Sequence, residues 1–276
     1  MKLTFLRIFS LLMFVAALNA LKAQNSLEKL DGLNKTPYLD LEYIIANKME
    51  SVGIIAASWQ PSTYLTSEDV VYLEMEMPVS VGDQFTVYRD VGDIKQLGTF
   101  FGSAGRRIQF LGDVRVTKVS DIVEARIYNA IDDINTGNKL MPYFSRRIEI
   151  SPRIPTNDIR GKILGPAEPK EIAGSYLFVF LDKGSNDGLR MNDKLFVYKK
   201  GHGSKAIKSH LPDVNIAELM VVAVTETHAT AYVLNSVEGF EAGANFKTAL
   251  PEIKYLDPGL PTADQTDSSA KALPNQ

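Results

Sequence analysis

The sequence contains no cysteine. Disulfides, thiolate metal sites, cysteine nucleophiles and lipid attachment through a cysteine are therefore excluded. Histidine is nearly as scarce: His202, His210 and His228 are too few and too scattered for a histidine-rich metal centre. Neither sign of charge dominates, with 30 Lys and Arg against 33 Asp and Glu and a formal net charge of −3. That balance gives no electrostatic case for nucleic acid or an anionic membrane surface as a partner. Beyond the leader, no apolar run approaches the roughly 20 residues of a spanning helix. What is present is ordinary globular material. Hydrophobic residues make up 45% and charged residues 23% of 276, enough for packed cores in one or two domains.

Residues 1–23 read as a secretory signal peptide. Lys2 and Arg7 form a positive start, residues 8–18 an apolar segment broken only by Ser10, and small residues follow. Cleavage between Ala23 and Gln24, or after Ala20, fits this pattern; an uncleaved anchor is the alternative. The expectation is an exported protein, periplasmic, envelope-associated or secreted, with no stable transmembrane anchor once the leader is removed. The N-terminal segment, 24–51, is polar at first. Thr36 and Pro37 then suit the cap and first position of a short helix reaching about Glu50. The run 44–46 fits a strand edge equally well.

The most informative stretch is 182–198, DKGSNDGLRMNDKLFVY. It joins the apolar run 176–181 to the apolar run 195–198, which reads as strand, tight connection, strand. Gly184 and Gly188 are expected to supply positive φ, and Asp193 the turn before the second strand. The design recurs at 70–88, where Gly82 and Asp83 precede QFTVY. Asp83 then aligns with Asp193, Val87 with Val197 and Tyr88 with Tyr198. Downstream, 112–119 matches 217–224, 125–129 matches 231–235 and 134–137 matches 240–243, while Gly53 and Gly161 lead in. Collinear matches of this kind indicate two copies of one module of roughly 90 residues, a size suited to a small domain.

The expected fold class is all-β: two tandem small antiparallel β-barrels of SH3-like type from an internal duplication, with a short N-terminal helix. The modules span 52–143 and 160–249. Within the first, strands are predicted at 52–57, 70–74, 84–89, 108–119 and 122–128, with a turn-rich tip at 102–106. Within the second they are predicted at 162–164, 176–181, 194–198, 216–224 and 229–234. A proline-containing connector, 144–159, joins the modules, and 146–150 suits an edge strand. The tail, 250–276, is poor in apolar residues and is expected to be disordered.

No catalytic, cofactor-binding or metal-binding residue emerges. The 201–205 cluster GHGSK lacks phosphate-loop spacing and lies between strands, so it reads as a hairpin tip. Asp182, Asn186 and Asp187 resemble part of a calcium loop. However, Gly184 occupies a ligand position and no glutamate closes the site. Asp132 and Asp133 are adjacent in a turn rather than opposed across a cleft, and no nucleophile elbow occurs. The remaining candidates are three basic spots near aromatics, Arg106 with Arg107, Arg146 with Arg147, and Lys199 with Lys200, beside Tyr143, Phe144 and Tyr198. They suit a polyanion or glycan, with Arg106, Arg107, Tyr143, Lys199 and Lys200 as the candidate contacts; solvated strand ends are the favoured reading of all three. His228 reads as a surface residue in a turn.

The repeated pattern, a glycine-bearing connection, then GD or ND, then a strand ending VYR or VYK, resembles β-domains of exported bacterial proteins. Here it is Val81 to Arg89 and Gly184 to Lys199. It is similar to the domain that follows LysM peptidoglycan-binding repeats in secreted Gram-negative proteins, and to the C-terminal domain of flagellar assembly protein T. The resemblance implies a periplasmic β-barrel. The chain before Val52 is too short for a LysM repeat, so peptidoglycan binding by that device does not carry over. The functional expectation is a non-enzymatic structural or adaptor protein of the bacterial cell envelope, with an envelope protein or cell-wall glycan as partner. The alternatives are a glycan-binding module using the basic–aromatic loops, and a hydrolase with an unrecognised site.

Overall fold

The structure, a computed structural model, describes residues 37–60, 64–99, 102–201, 203–204 and 209–249. The predicted leader with its expected junction at Ala23 and Gln24, and the predicted tail from 250, lie outside the described residues. Among those described, the regular structure is β apart from one 3₁₀ turn at Ser185–Asp187.

The chain begins with β1 (Tyr38–Asp40) and β2 (Tyr43–Ala46). The helix predicted from Thr36 and Pro37 is therefore corrected to two strands. In β2, buried Tyr43 and Ile45 alternate with half-buried Ile44 and Ala46, a period of two. Aromatic and β-branched side chains favour that pleat. Its partner is remote in sequence: a long strand at Ser103–Val119 pairs with it from Tyr43 opposite Gln109 to Ala46 opposite Arg106.

The N-terminal sheet adds β3 (Gly53–Ser58), β4 (Val70–Met75), β5 (Gln84–Lys95), β6 (Ser103–Val119), β7 (Val123–Ile127) and β8 (Lys139–Pro142). Its order is β2-β6-β5-β8-β3-β4-β7, and β6 pairs with β7 as well. Ile55, Val71, Phe85, Val87, Val114, Val116, Ile127 and Leu140 fill one apolar core. β5 and β6 run further than predicted and form an arm beyond the core. Residues 103–106 of the predicted tip belong to β6, and the hairpin closes where the Gln96 amide bonds the Gly102 carbonyl at 2.8 Å. Gly105 is needed for close approach rather than for a tip. A Cβ there would stand 3.0 Å from Ile45 Cγ1, and its φ is +148°.

β9 (Arg147–Glu149) pairs with β1 across the predicted connector. The second half contains β10 (Arg160–Pro166), β11 (Ile172–Ala173), β12 (Phe178–Leu181), β13 (Lys194–Lys199), β14 (Gly203–Ser204) and β15 (Ser209–His210). It ends with β16 (Val214–Val224), β17 (Ala229–Ser236), β18 (Phe240–Glu241) and β19 (Asn245–Thr248). Six of these close an antiparallel barrel in the order β10-β12-β17-β16-β13-β19. Ile163, Val179, Leu181, Leu195, Val197, Leu219, Val221, Val233 and Phe246 pack its interior.

Residues 182–198 do join two strands, but not as a hairpin. β12 pairs with β10 and β17, whereas β13 pairs with β16 and β19. Gly188 takes φ 96° as expected, but Gly184 is extended at φ −134°. Gly184 is required for space instead, since a Cβ would lie 2.5 Å from the Thr225 carbonyl oxygen.

A third apolar cluster binds the halves together. Leu41, Tyr43, Ile45, Tyr88, Ile108 and Phe110 come from the N-terminal half; Leu164, Phe178, Phe180, Met220 and Val222 come from the barrel. The Phe178 ring lies 6.3 Å from that of Tyr43 and 5.3 Å from that of Tyr232. Burying each large side chain contributes roughly 1.5–3 kcal/mol. The seam thus resembles a core more than a loose contact between lobes, and β2 lies inside it.

Candidate functional site

The two turn aspartates are built alike. Asp83 Oδ2 accepts the Ser80 amide at 2.8 Å and Asp193 Oδ2 the Arg190 amide at 2.8 Å. Each is preceded by a left-handed residue, Gly82 at φ 98° and Asn192 at φ 68°. Their surroundings differ. Asp83 is exposed, whereas Asp193 is buried and meets Arg153 at 2.6 Å. These residues shape turns, and Asp193 also ties the connector to the barrel.

The five candidate contact residues do not gather in one place. Lys199 and Lys200 end β13. Lys199 is committed to Glu238 at 2.6 Å, while Lys200 has no ion pair with a described residue. Lys200 lines a cleft of about 640 Å³ together with Arg160, Lys162, Asp182, Lys183, Tyr198 and Asp213. Two cations there are already paired, Arg160 with Asp158 at 3.2 Å and Lys183 with Asp187 at 2.9 Å. Burial works against ionisation of Asp187, but hydrogen bonds from Lys183 and the Gly184 amide hold its carboxyl below the usual range. Asp182 accepts the Lys162 amide at 2.7 Å and Asp213 the Gly201 amide at 3.0 Å. Tyr198 forms a largely buried wall, and the Lys247 ammonium sits 5.0 Å above its ring. Of the cations lining this cleft, Lys162 and Lys200 make no ion pair with a described residue.

Arg106 and Arg107 lie on the arm of β6. Arg106 is neutralised locally, bonding Asp90 at 2.5 Å and Asp93 at 3.3 Å. Arg107 points toward the barrel and lines a second cleft of about 640 Å³ at the seam. Its Nη2 donates to the Pro166 carbonyl at 3.4 Å, and its Nε is buried without a partner. Desolvation pushes its pKa below the ordinary arginine value. Tyr143 follows β8, is 45% exposed and lines neither cleft.

Arg146 is the largest miss. It was expected to be a solvated strand end, yet its side chain is 3% exposed and pairs with equally buried Asp113 at 2.5 Å. Asp113 also accepts the Thr86 hydroxyl at 2.9 Å and the Asn129 amide at 3.0 Å. The signal was a lone carboxylate inside FLGDVRV (110–116), where every neighbour except Arg115 is buried. Arg147 is exposed as expected, stacking 4.5 Å over the Tyr38 ring. His228 is half-buried, and its Nδ1 lies 2.8 Å from the Thr227 hydroxyl. Burial lowers its pKa against the opposing pull of Asp182 and Asp187.

Among the described residues no group of three or more His, Asp or Glu is placed to hold a metal ion. None of their helices is long and apolar enough to cross a membrane. No protein-family model matches the sequence, and no curated protein matches it significantly.

Proposed function

We propose that this chain is an exported structural or adaptor protein of the bacterial cell envelope, built from two tandem SH3-like barrels that arose by duplication. The observation that carries the reading is the seam: an apolar cluster that joins two β units and holds their loops at a fixed spacing. A scaffold that positions partners benefits from such a joint. The duplication is supported by pairing order. Round the first half the contacts run β3-β4-β7-β6-β5-β8, and round the barrel β10-β12-β17-β16-β13-β19, in the same sequence-relative order. The closing contacts agree as well. Gly137 donates to Ile55 at 2.7 Å, as Gly243 does to Ile163 at 2.8 Å. Export is supported by the charged and apolar pattern of residues 1–23.

The closed barrel has no free edge, but β2 ends its sheet and the two-stranded pairs β1-β9, β11-β18 and β14-β15 leave short edges. Partner recognition is therefore assigned to loops and to these short edges. Wall-glycan recognition is the second reading, favoured by Lys162 and Lys200 in the cleft beside Tyr198. Co-sedimentation of the chain from Gln24 to Gln276 with peptidoglycan sacculi, at low and high salt, separates the two. Salt-resistant pelleting supports glycan recognition. A soluble protein that crosslinks to a discrete envelope protein supports the adaptor reading, and neither pelleting nor crosslinking would refute both.

A further inference from the structure

The seam contains a cation, Arg107, that makes no ion pair with a described residue. Arg107 leaves β6 toward the barrel and is partly desolvated, yet its only hydrogen bond to a described residue is the 3.4 Å contact with the Pro166 carbonyl. Its Nε has none. Its neighbour Arg106 takes the two carboxylates of the arm, Asp90 and Asp93. Desolvating a charge costs several kcal/mol unless a counter-charge or good hydrogen bonds offset it. A buried polar atom without a partner therefore calls for a physical reason.

The surroundings supply one. The cleft is open to solvent and is bounded by the arm segment 93–99 on one side and by Leu164, Gly165 and Pro166 on the other. Leu97, Leu164 and Pro166 give it apolar walls; Lys95, which has no ion pair with a described residue, adds a second positive group. Lys170, by contrast, is held by Glu168 at 2.6 Å. Glu171 and Glu241 stand exposed among the lining residues and disfavour ligands with anionic groups at both ends. Clefts between packed units are common ligand sites, usually apolar with a few polar anchors. The planar guanidinium fork matches a carboxylate or phosphate through two parallel hydrogen bonds.

We propose that the seam cleft binds an organic anion, its carboxylate or phosphate held by Arg107 and its apolar body lying against Leu97, Leu164 and Pro166. The site does not depend on the envelope reading. A ligand there touches both halves of the molecule, so occupancy stiffens the joint between them.

The test uses the chain from Gln24 to Gln276 with three probes: octanoate, inorganic phosphate and, as the ionic-strength control, chloride. Calorimetric titration and thermal melting read the binding. Octanoate is expected to bind and raise the melting midpoint beyond the chloride effect. Arg107→Gln is expected to weaken binding about tenfold or more, the loss associated with a charge-assisted hydrogen bond. Lys118→Gln, at a residue that lines neither cleft, leaves it unchanged. If phosphate binds better than octanoate, with the same dependence on Arg107, the head group is assigned as phosphate. Arg107→Gln also removes the Pro166 contact, so Ala242→Glu serves as the second variant. It places a carboxylate among the lining residues, retains Arg107 and is expected to abolish binding with the melting midpoint of the free protein preserved. Absence of binding by both octanoate and phosphate, or binding indifferent to Arg107→Gln and Ala242→Glu, overturns the proposal.

Discussion

Replacing Arg146 by methionine should destabilise the N-terminal half strongly. The guanidinium and the Asp113 carboxylate are each 3% exposed and meet at 2.5 Å. With charge centres about 4 Å apart and an effective dielectric near 20, their attraction is about 4 kcal/mol. Desolvation consumes much of that, so the intact pair contributes little net. Breaking it is different, because the variant leaves Asp113 buried with only Thr86 and Asn129 as side-chain donors. Such losses run to about 3–5 kcal/mol. If both halves unfold together as one cooperative unit of about 200 residues, that is a fall in melting midpoint of roughly 6–20 °C. Urea denaturation of wild type, Arg146→Met, Asp113→Leu and the double variant gives the coupling directly. The double variant should be more stable than Arg146→Met alone, because it removes the stranded charge. If Arg146→Met stays within about 1 kcal/mol of wild type, or the double variant is the least stable of the set, the assignment of a dry ion pair is wrong.

Other outcomes follow from the same geometry. Gly184→Ala forces a Cβ to 2.5 Å from the Thr225 carbonyl oxygen; chemical denaturation should show a loss of about 1–3 kcal/mol. Asp193→Ala should cost about 1–3 kcal/mol, because a buried turn loses its acceptor and Arg153 its partner, while the exposed counterpart Asp83→Ala should cost less. Phe178→Ala empties the seam and should cost about 3–5 kcal/mol by the same assay. His228 has a depressed pKa when folded, so the unfolded chain binds the proton first as pH falls. Its contribution to stability is complete above the ordinary value of 6.5 and declines below it until the folded form also titrates. His228→Gln should therefore flatten the stability profile between pH 6.5 and the lower folded value, measured as melting midpoint against pH.

The strands were legible where alternation and turn chemistry agreed. Val70–Met75, Lys194–Lys199 and Ala229–Ser236 each fall within one or two residues of the reading. Errors arose where a distant partner decided the outcome. Thr36-Pro37 is a good local helix start, but Tyr43 and Ile45 gain more by pairing with β6 and packing at the seam. Gly102 and Gly105 resemble turn residues, yet Gly105 makes room for Ile45 in a continuing strand. Lys199 was recognisable as a basic residue, but its Glu238 partner lies in another strand connection and has no local signature. Arg106 and Arg107 are equivalent candidates in the sequence; only the fold separates them, pairing Arg106 with Asp90 and Asp93 and leaving Arg107 without an ion pair to a described residue. Arg146 shows the opposite error, since a charged doublet near prolines looks solvated until Asp113 is seen beneath it.

The placement of β2 has a consequence for the order of assembly. The Ile45 amide reaches the Thr230 hydroxyl at 3.4 Å, across 185 residues of chain. A polypeptide emerging N-terminus first exposes Tyr43 and Ile45 long before Phe178, Met220 or Thr230 exists to cover them. The first β unit can pair its own strands, but its outer apolar strip waits for the last part of the barrel. The seam is complete only when the two units meet over β2. During that interval the strip is the natural target for a chaperone, and the weakest point at which two chains could exchange partners.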